Sequence, residues 1–312
     1  MRTMSPTRLV QSILRNILSA IKPAVVVMVF VVLTIPASAE NKSANVDFVI
    51  AGDDYVGRLR DIKAIFLDEN KKWLYAADAG NRRLVSFGQE LLYLSELSHK
   101  DLSIPTGLVK TSEGVFYVLD AGNADIRIVN VKDKIITPWV ITGMPSKYKR
   151  TFPKAIAIGP DENIFIADSI NKCILVISKD GKYKRSYTSN DTDFMGFSDV
   201  RVGSDGKVYS VDSLGKTIYV FKDNGKLLLK IKGHKDSPLI MPVSIDIDSD
   251  GKIHVLDRVA ADIKVFSPKG AYLYTIGDKG YNLGQFVHPT YLLIDSTNRI
   301  YVSDSERVQV VK

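Results

Sequence analysis

The chain has 312 residues, 45% hydrophobic and 25% charged, a composition that excludes a disordered polymer. Lys and Arg outnumber Asp and Glu by 42 to 35, but Arg2, Arg8, Arg15 and Lys22 stand in an acid-free N-terminal stretch; the remainder is only mildly basic, which argues against a nucleic-acid role. A single cysteine, Cys173, excludes an internal disulfide, a CxxC zinc site, haem attachment and an iron–sulfur cluster.

The first element is a leader. The basic stretch is followed by an apolar run over residues 24–33, then by Ala37-Ser38-Ala39 before Glu40. Basic region, short apolar core and small-residue site together predict a Sec-type signal peptide over residues 1–39, cleaved after Ala39. The run falls short of the roughly 20 residues that a spanning helix needs. The expected mature chain is residues 40–312, periplasmic or secreted, with no stable membrane span after cleavage.

Beyond residue 40 the chain repeats. Short apolar strands end in an aspartate six times, at Asp78, Asp120, Asp168, Asp212, Asp257 and Asp304. A period of about 45 residues signals a solenoid, propeller or array. Each unit reads as four strands. In the third, residues 155–158, 164–167, 173–178 and 183–188 are strands, and Asp180-Gly181 marks the last hairpin. No sustained 3.6-residue apolar period occurs, so almost no helix is expected. The last unit has only three strands, whereas the chain opens on an orphan strand at Val46–Ala51. The expected fold is all-β: a six-bladed β-propeller of four-stranded antiparallel blades, its last blade closed by the N-terminal strand.

The stretch from Gly277 to Pro289 is glycine-spaced and ends in Gly284-Gln285-Phe286-Val287-His288-Pro289, and Asp78/Asn81, Asp120/Asn123 and Asp168/Asn171 share an Asp-x-x-Asn element. These residues resemble NHL repeats of the exported bacterial type. Gly215 and Ala260 depart from the Asn position, and the last unit is two residues short there. The resemblance implies the propeller fold over the whole mature chain. It implies little about function, because the family includes binding scaffolds, sensors and a few enzymes.

The six aspartates are read as structural turn residues that accept bonds from turn amides. The resemblance extends to amidating lyases that hold zinc with several channel histidines, but His99, His234, His254 and His288 share no repeat position. Along the innermost strands, the second aligned position reads Ala64, Gly107, Ala155, Asp199, Ser244 and Tyr291, and the fourth Phe66, Val109, Ala157, Arg201, Asp246 and Leu293. Asp199, Arg201 and Asp246 stand out as channel candidates, either an Asp–Arg pair between blades or a polar mouth for a small ligand or cation. Cys173 sits in an apolar strand and is read as buried and inert. The basic-aromatic runs 147–150 and 182–185 are read as solvated edges. No GxSxG elbow, Walker loop or Rossmann fingerprint is present.

The loops leaving the fourth strands are long and lie on one face with the turns between second and third strands. A rigid ring presenting variable loops suits recognition. The first expectation is therefore a non-catalytic module that binds a protein, or alternatively a glycan, but no nucleic acid. Tyr148, Phe152, Phe194, Phe197, Tyr281 and Phe286 are its candidate contacts, with Phe152, Phe197 and Phe286 also readable as inward loop anchors. The alternative is a lyase or lactonase-like enzyme with a divalent metal in the central channel. No catalytic residue, cofactor or metal ligand is assigned.

Overall fold

The computed structural model describes residues 40–312 apart from residues 54 and 305. The expected leader lies outside the described residues. The aspartate-terminated runs form the second strands of six antiparallel sheets. In the second to sixth sheets every residue of these strands is buried, from Phe116–Asp120 to Ile300–Asp304. Burial on both faces explains why they read as continuous apolar runs rather than as alternating ones. The innermost strands are Ile62–Asp68, Pro105–Lys110, Pro153–Ile158, Asp199–Val202, Pro242–Ile247 and Pro289–Ile294. Outer strands such as Leu227–Ile231 are half exposed, as expected of sheet edges.

The core is divided rather than central. Six apolar clusters each lie between two neighbouring blades, and one of them joins Ile50, Val308 and Val310 of the last blade to Ile65, Leu74 and Val85 of the first. The ring is therefore closed. The closing piece is Val46–Ile50, which pairs antiparallel with Arg307–Val311 and completes the sixth blade. The sequence did not signal a further strand, Glu40–Lys42, which pairs in parallel with Tyr272–Ile276 and makes the fifth blade five-stranded. It is too short and too polar to show a period. Among the described residues the only helical pieces are 3-10 turns of three residues, such as Ala79–Asn81 and Ser146–Tyr148. None of the described helices is long and apolar enough to cross a membrane.

Candidate functional site

The inner strands align in the structure as they align in the sequence. Ala64, Gly107, Ala155, Asp199, Ser244 and Tyr291 occupy one register position, each opposite the residue preceding a strand-ending aspartate. The aspartates fix where these strands begin. Asp120 accepts bonds from the amides of Ser103 and Ile104, at 2.7 and 2.8 Å, as well as from its own turn at Gly122 and Asn123. Asp168 does the same with Phe152 and Ile170, and Asp257 with Ile240, Met241 and Val259. Asp78, Asp212 and Asp304 hold the amides of Arg60, Met195 and Val287. Each carboxylate thus ties the entering loop of its blade to the turn after the second strand. Burial pushes the Asp120 carboxyl up, but these amide bonds outweigh it and hold its pKa below the ordinary value.

The three channel candidates come together. Arg201 Nη1 donates to Asp199 Oδ1 at 3.2 Å, and Nε lies 3.9 Å from Asp246 Oδ2. Nη2 reaches the sixth blade at Leu292 O, 3.1 Å, and the guanidinium lies 4.5 Å from the centre of the Tyr291 ring. Asp199 Oδ2 accepts from Ser244 Oγ and from the Ile245 amide, while Asp246 accepts from Ile247 and Ile294. Burial opposes the charge on Arg201, yet Asp199, Tyr291 and Asp246 raise its pKa; burial raises that of Asp246 despite Arg201. The cluster binds three blades together and leaves the acids with their bonds made. A cation placed between Asp199 and Asp246 would have to displace the guanidinium, so these residues do not fit a metal site. Among the described residues no group of three or more His, Cys, Asp or Glu could hold a metal.

Above this plug the channel opens into a cavity of about 320 Å³. Its wall includes Lys63, Thr106, Lys154, Ser198, Val243 and Thr290, one from each blade, which immediately precede the aligned second position. Arg258, which follows Asp257, and Leu214 complete one side. Lys63 pairs with Asp61 at 2.7 Å. Among the described residues Lys154 Nζ has only Ser198 Oγ as a hydrogen-bond partner, at 3.5 Å, and Arg258 donates its Nε to Pro289 O at 3.2 Å. Burial, and then Arg258 against the pull of Asp212, hold the Lys154 amine below its ordinary pKa. Lys63, Lys154 and Arg258 against Asp199, which is paired with Arg201, give the cavity wall an excess of positive charge.

Exposed apolar side chains flank it on blades three to five. Leu214, Ile170 and Val259 are 69%, 57% and 50% exposed, each two residues after a strand-ending aspartate. The matching positions of the first two blades are Gly80 and Gly122. Phe152, Met195 and Ile240, from the entering loops, are also exposed. The opposite end of the ring differs: it exposes Leu92 and Val131 at non-equivalent turn positions, and its turns carry mixed charges in local pairs such as Lys72–Glu69 and Lys182–Asp180.

Of the aromatic candidates, Phe152 and Tyr281 are exposed. Tyr148, Phe194, Phe197 and Phe286 are buried, so as surface contacts they are corrected. Their loops cross the clefts between blades, and the rings fill them. Phe197 packs among Phe194, Tyr219 and Phe221, and Tyr148 joins the cluster between blades two and three and bonds Ser186. Phe286 sits against Gly277, whose φ of 75° and lack of a side chain allow the approach; a Cβ there would come within 2.6 Å of the ring. The reading of Phe152 as an inward anchor is likewise corrected. Cys173 is buried, and burial, reinforced by Asp168, pushes its thiol up to about 12. Three histidines meet local acids, His254 with Asp248 at 3.0 Å, His99 beside Asp101 and His234 beside Asp236.

Lys154, Arg258 and the apolar residues after the aspartates were not singled out in the sequence. The signal was available, since all lie one position away from residues that the repeat alignment identified.

Comparison with known proteins adds fold but little else. A family model, DUF5128, described as a 6-bladed beta-propeller, matches residues 234–312. No curated protein matches the chain in sequence. Among solved structures, virginiamycin B lyase from Staphylococcus aureus is similar, with 14% identity, a TM-score of 0.61, and 80% of this chain and 79% of that one covered. A streptogramin B lyase structure is similar at 13% identity and a TM-score of 0.60, covering 85% of this chain and 97% of that one. At such identities the likeness speaks for the shared six-bladed fold.

Proposed function

We propose that the chain is an exported, NHL-type propeller that acts as a non-catalytic binding module, docking a partner protein on the end of the ring where the channel mouth opens. The observation that supports this most is the asymmetry of the two ends. One end places exposed Ile170, Leu214 and Val259 at one repeated position of three adjacent blades around a cationic mouth, whereas the other exposes Leu92 and Val131 at non-equivalent turn positions among charged side chains paired with each other. Apolar side chains held out to water at repeated positions mark an interaction surface. The blades fix their spacing, so little ordering entropy opposes association. Export rests on the basic, apolar and Ala-Ser-Ala succession of the leader. A glycan partner has less support, because the exposed side chains of the collar are mostly aliphatic. The lyase activity of the structural neighbours belongs to those proteins, and Asp199 and Asp246 already hold Arg201 and backbone amides.

The test compares two triple variants for retention of a cross-linked partner. Ile170→Ser with Leu214→Ser and Val259→Ser should abolish retention at an unchanged melting temperature. Lys71→Ser with Lys72→Ser and Lys134→Ser, at the opposite end, should leave it intact. Equal retention by both would overturn the proposal.

A further inference from the structure

We propose that the channel mouth is a carboxylate-binding site, which seats an acidic side chain or a free C-terminus of a partner polypeptide between Lys154 and Arg258. This inference rests on the docking end described above and names the chemistry that end selects. Three observations carry it.

The first is unmatched positive charge. Lys154 and Arg258 line one cavity from blades three and five, and neither makes an ion pair among the described residues. The nearby acids make no direct contact with either cation: Asp199 holds Arg201 and Ser244, and the oxygens of Asp212, whose charge still pulls on Lys154, accept the amides of Met195 and Gly215. The second is donor geometry. Arg258 spends its Nε on Pro289 O, which fixes the guanidinium, and its two Nη groups have no protein acceptor among the described residues. A planar pair of donors matches the two oxygens of a carboxylate. Hydroxyls of Thr106 and Ser198 line the same wall and supply neutral donors, whereas that of Thr290 donates to Ile62 O. The third is the surroundings. A free inorganic anion gains nothing from Leu214, which lines the mouth, or from Ile170 and Val259. A carboxylate flanked by apolar side chains uses both features at once. The cavity, about 320 Å³, takes a side chain or a chain end rather than a folded surface.

The experiment selects random peptides on phage against the purified chain, using one library with free C-termini and one displayed internally. Selected peptides should combine Asp, Glu or a terminal carboxylate with Leu, Ile, Val or Phe. A synthetic copy should bind about tenfold or more weakly to Lys154→Gln/Arg258→Gln, the loss expected for charge-assisted bonds. Its affinity should also fall with added salt. Replacing Asp and Glu of the peptide by Asn and Gln, or amidating its C-terminus, tells the two sources of the carboxylate apart. If the double variant melts early, Arg258→Gln alone is used. Enriched peptides that lack a carboxylate, or that bind the double variant equally well, would overturn the carboxylate site and leave the docking end standing. No enrichment by the unaltered chain would sink both.

Discussion

At the scale of single residues, the strand-ending aspartates contribute by what they accept. Removing Asp120, itself buried, leaves the amides of Ser103, Ile104, Gly122 and Asn123 without their acceptor. Asp120→Ala is expected to lower stability by roughly 2–4 kcal/mol, read from denaturant melts, and Asp168→Ala by a similar amount. A loss below half a kcal/mol for both would show that water replaces the bonds. Titration gives an independent check. The folded pKa of Asp120 lies below its ordinary value of 3.8, so its contribution is present above that value and drains away as the pH falls through the folded pKa. Melting temperatures of Asp120→Asn and the unaltered chain should therefore differ most near neutrality and converge in acid; a constant offset down to pH 2 would contradict the assignment. The sequence displayed these residues because a repeated Asp at a strand end is a local sign. It did not display that each carboxylate also holds the loop from the preceding blade, since that contact spans 16 to 18 residues, the length of the blade's first two strands. Nor could it separate an aromatic ring that fills a cleft between blades, such as Phe197, from one left in water, such as Tyr281. Both sit in glycine- and aspartate-rich loops.

At the scale of elements, repetition made the blades legible. Every second strand ends in the same residue, and the leading proline or its equivalent sets the register of the inner strand, so six copies corrected one another. The orphan strand was legible by counting, because three strands at one end of the chain require a fourth from elsewhere. Glu40–Lys42 was not, since three polar residues joined by parallel backbone bonds leave no trace in hydropathy. Removing residues up to Ala51 would uncover the edge of Arg307–Val311, where Val308, Val310 and Val311 are buried. Such a chain should associate through the open edge or melt at a markedly lower temperature, judged by size-exclusion elution and calorimetry. A monomer of unchanged stability would show that the ring closes without its N-terminal strand.

At the scale of the whole molecule, the division of the core into six clusters means that the blades are held to one another chiefly by side-chain packing. The backbone ladders run within blades. Polar links add to this, and Arg201 reaches furthest among those at the channel, a side chain of the fourth blade that meets Asp246 of the fifth and Leu292 of the sixth. Its replacement by Met would leave Asp199 and Asp246 without their cation and is expected to reduce stability by about 3–5 kcal/mol. Arg201→Met with Asp199→Asn and Asp246→Asn should recover part of that loss in the same melts; no recovery would mean that packing against Tyr291, not charge, dominates. Closure by Val46–Ile50 has a last consequence, which concerns time rather than space. That strand pairs with Arg307–Val311, so it must wait while almost the whole chain is synthesised. Five blades can gather beside the ribosome, but the ring stays open until the partner strand has emerged. Its longest-range contact is thus its last, and the N-terminal strand stays without its partner until synthesis is nearly over.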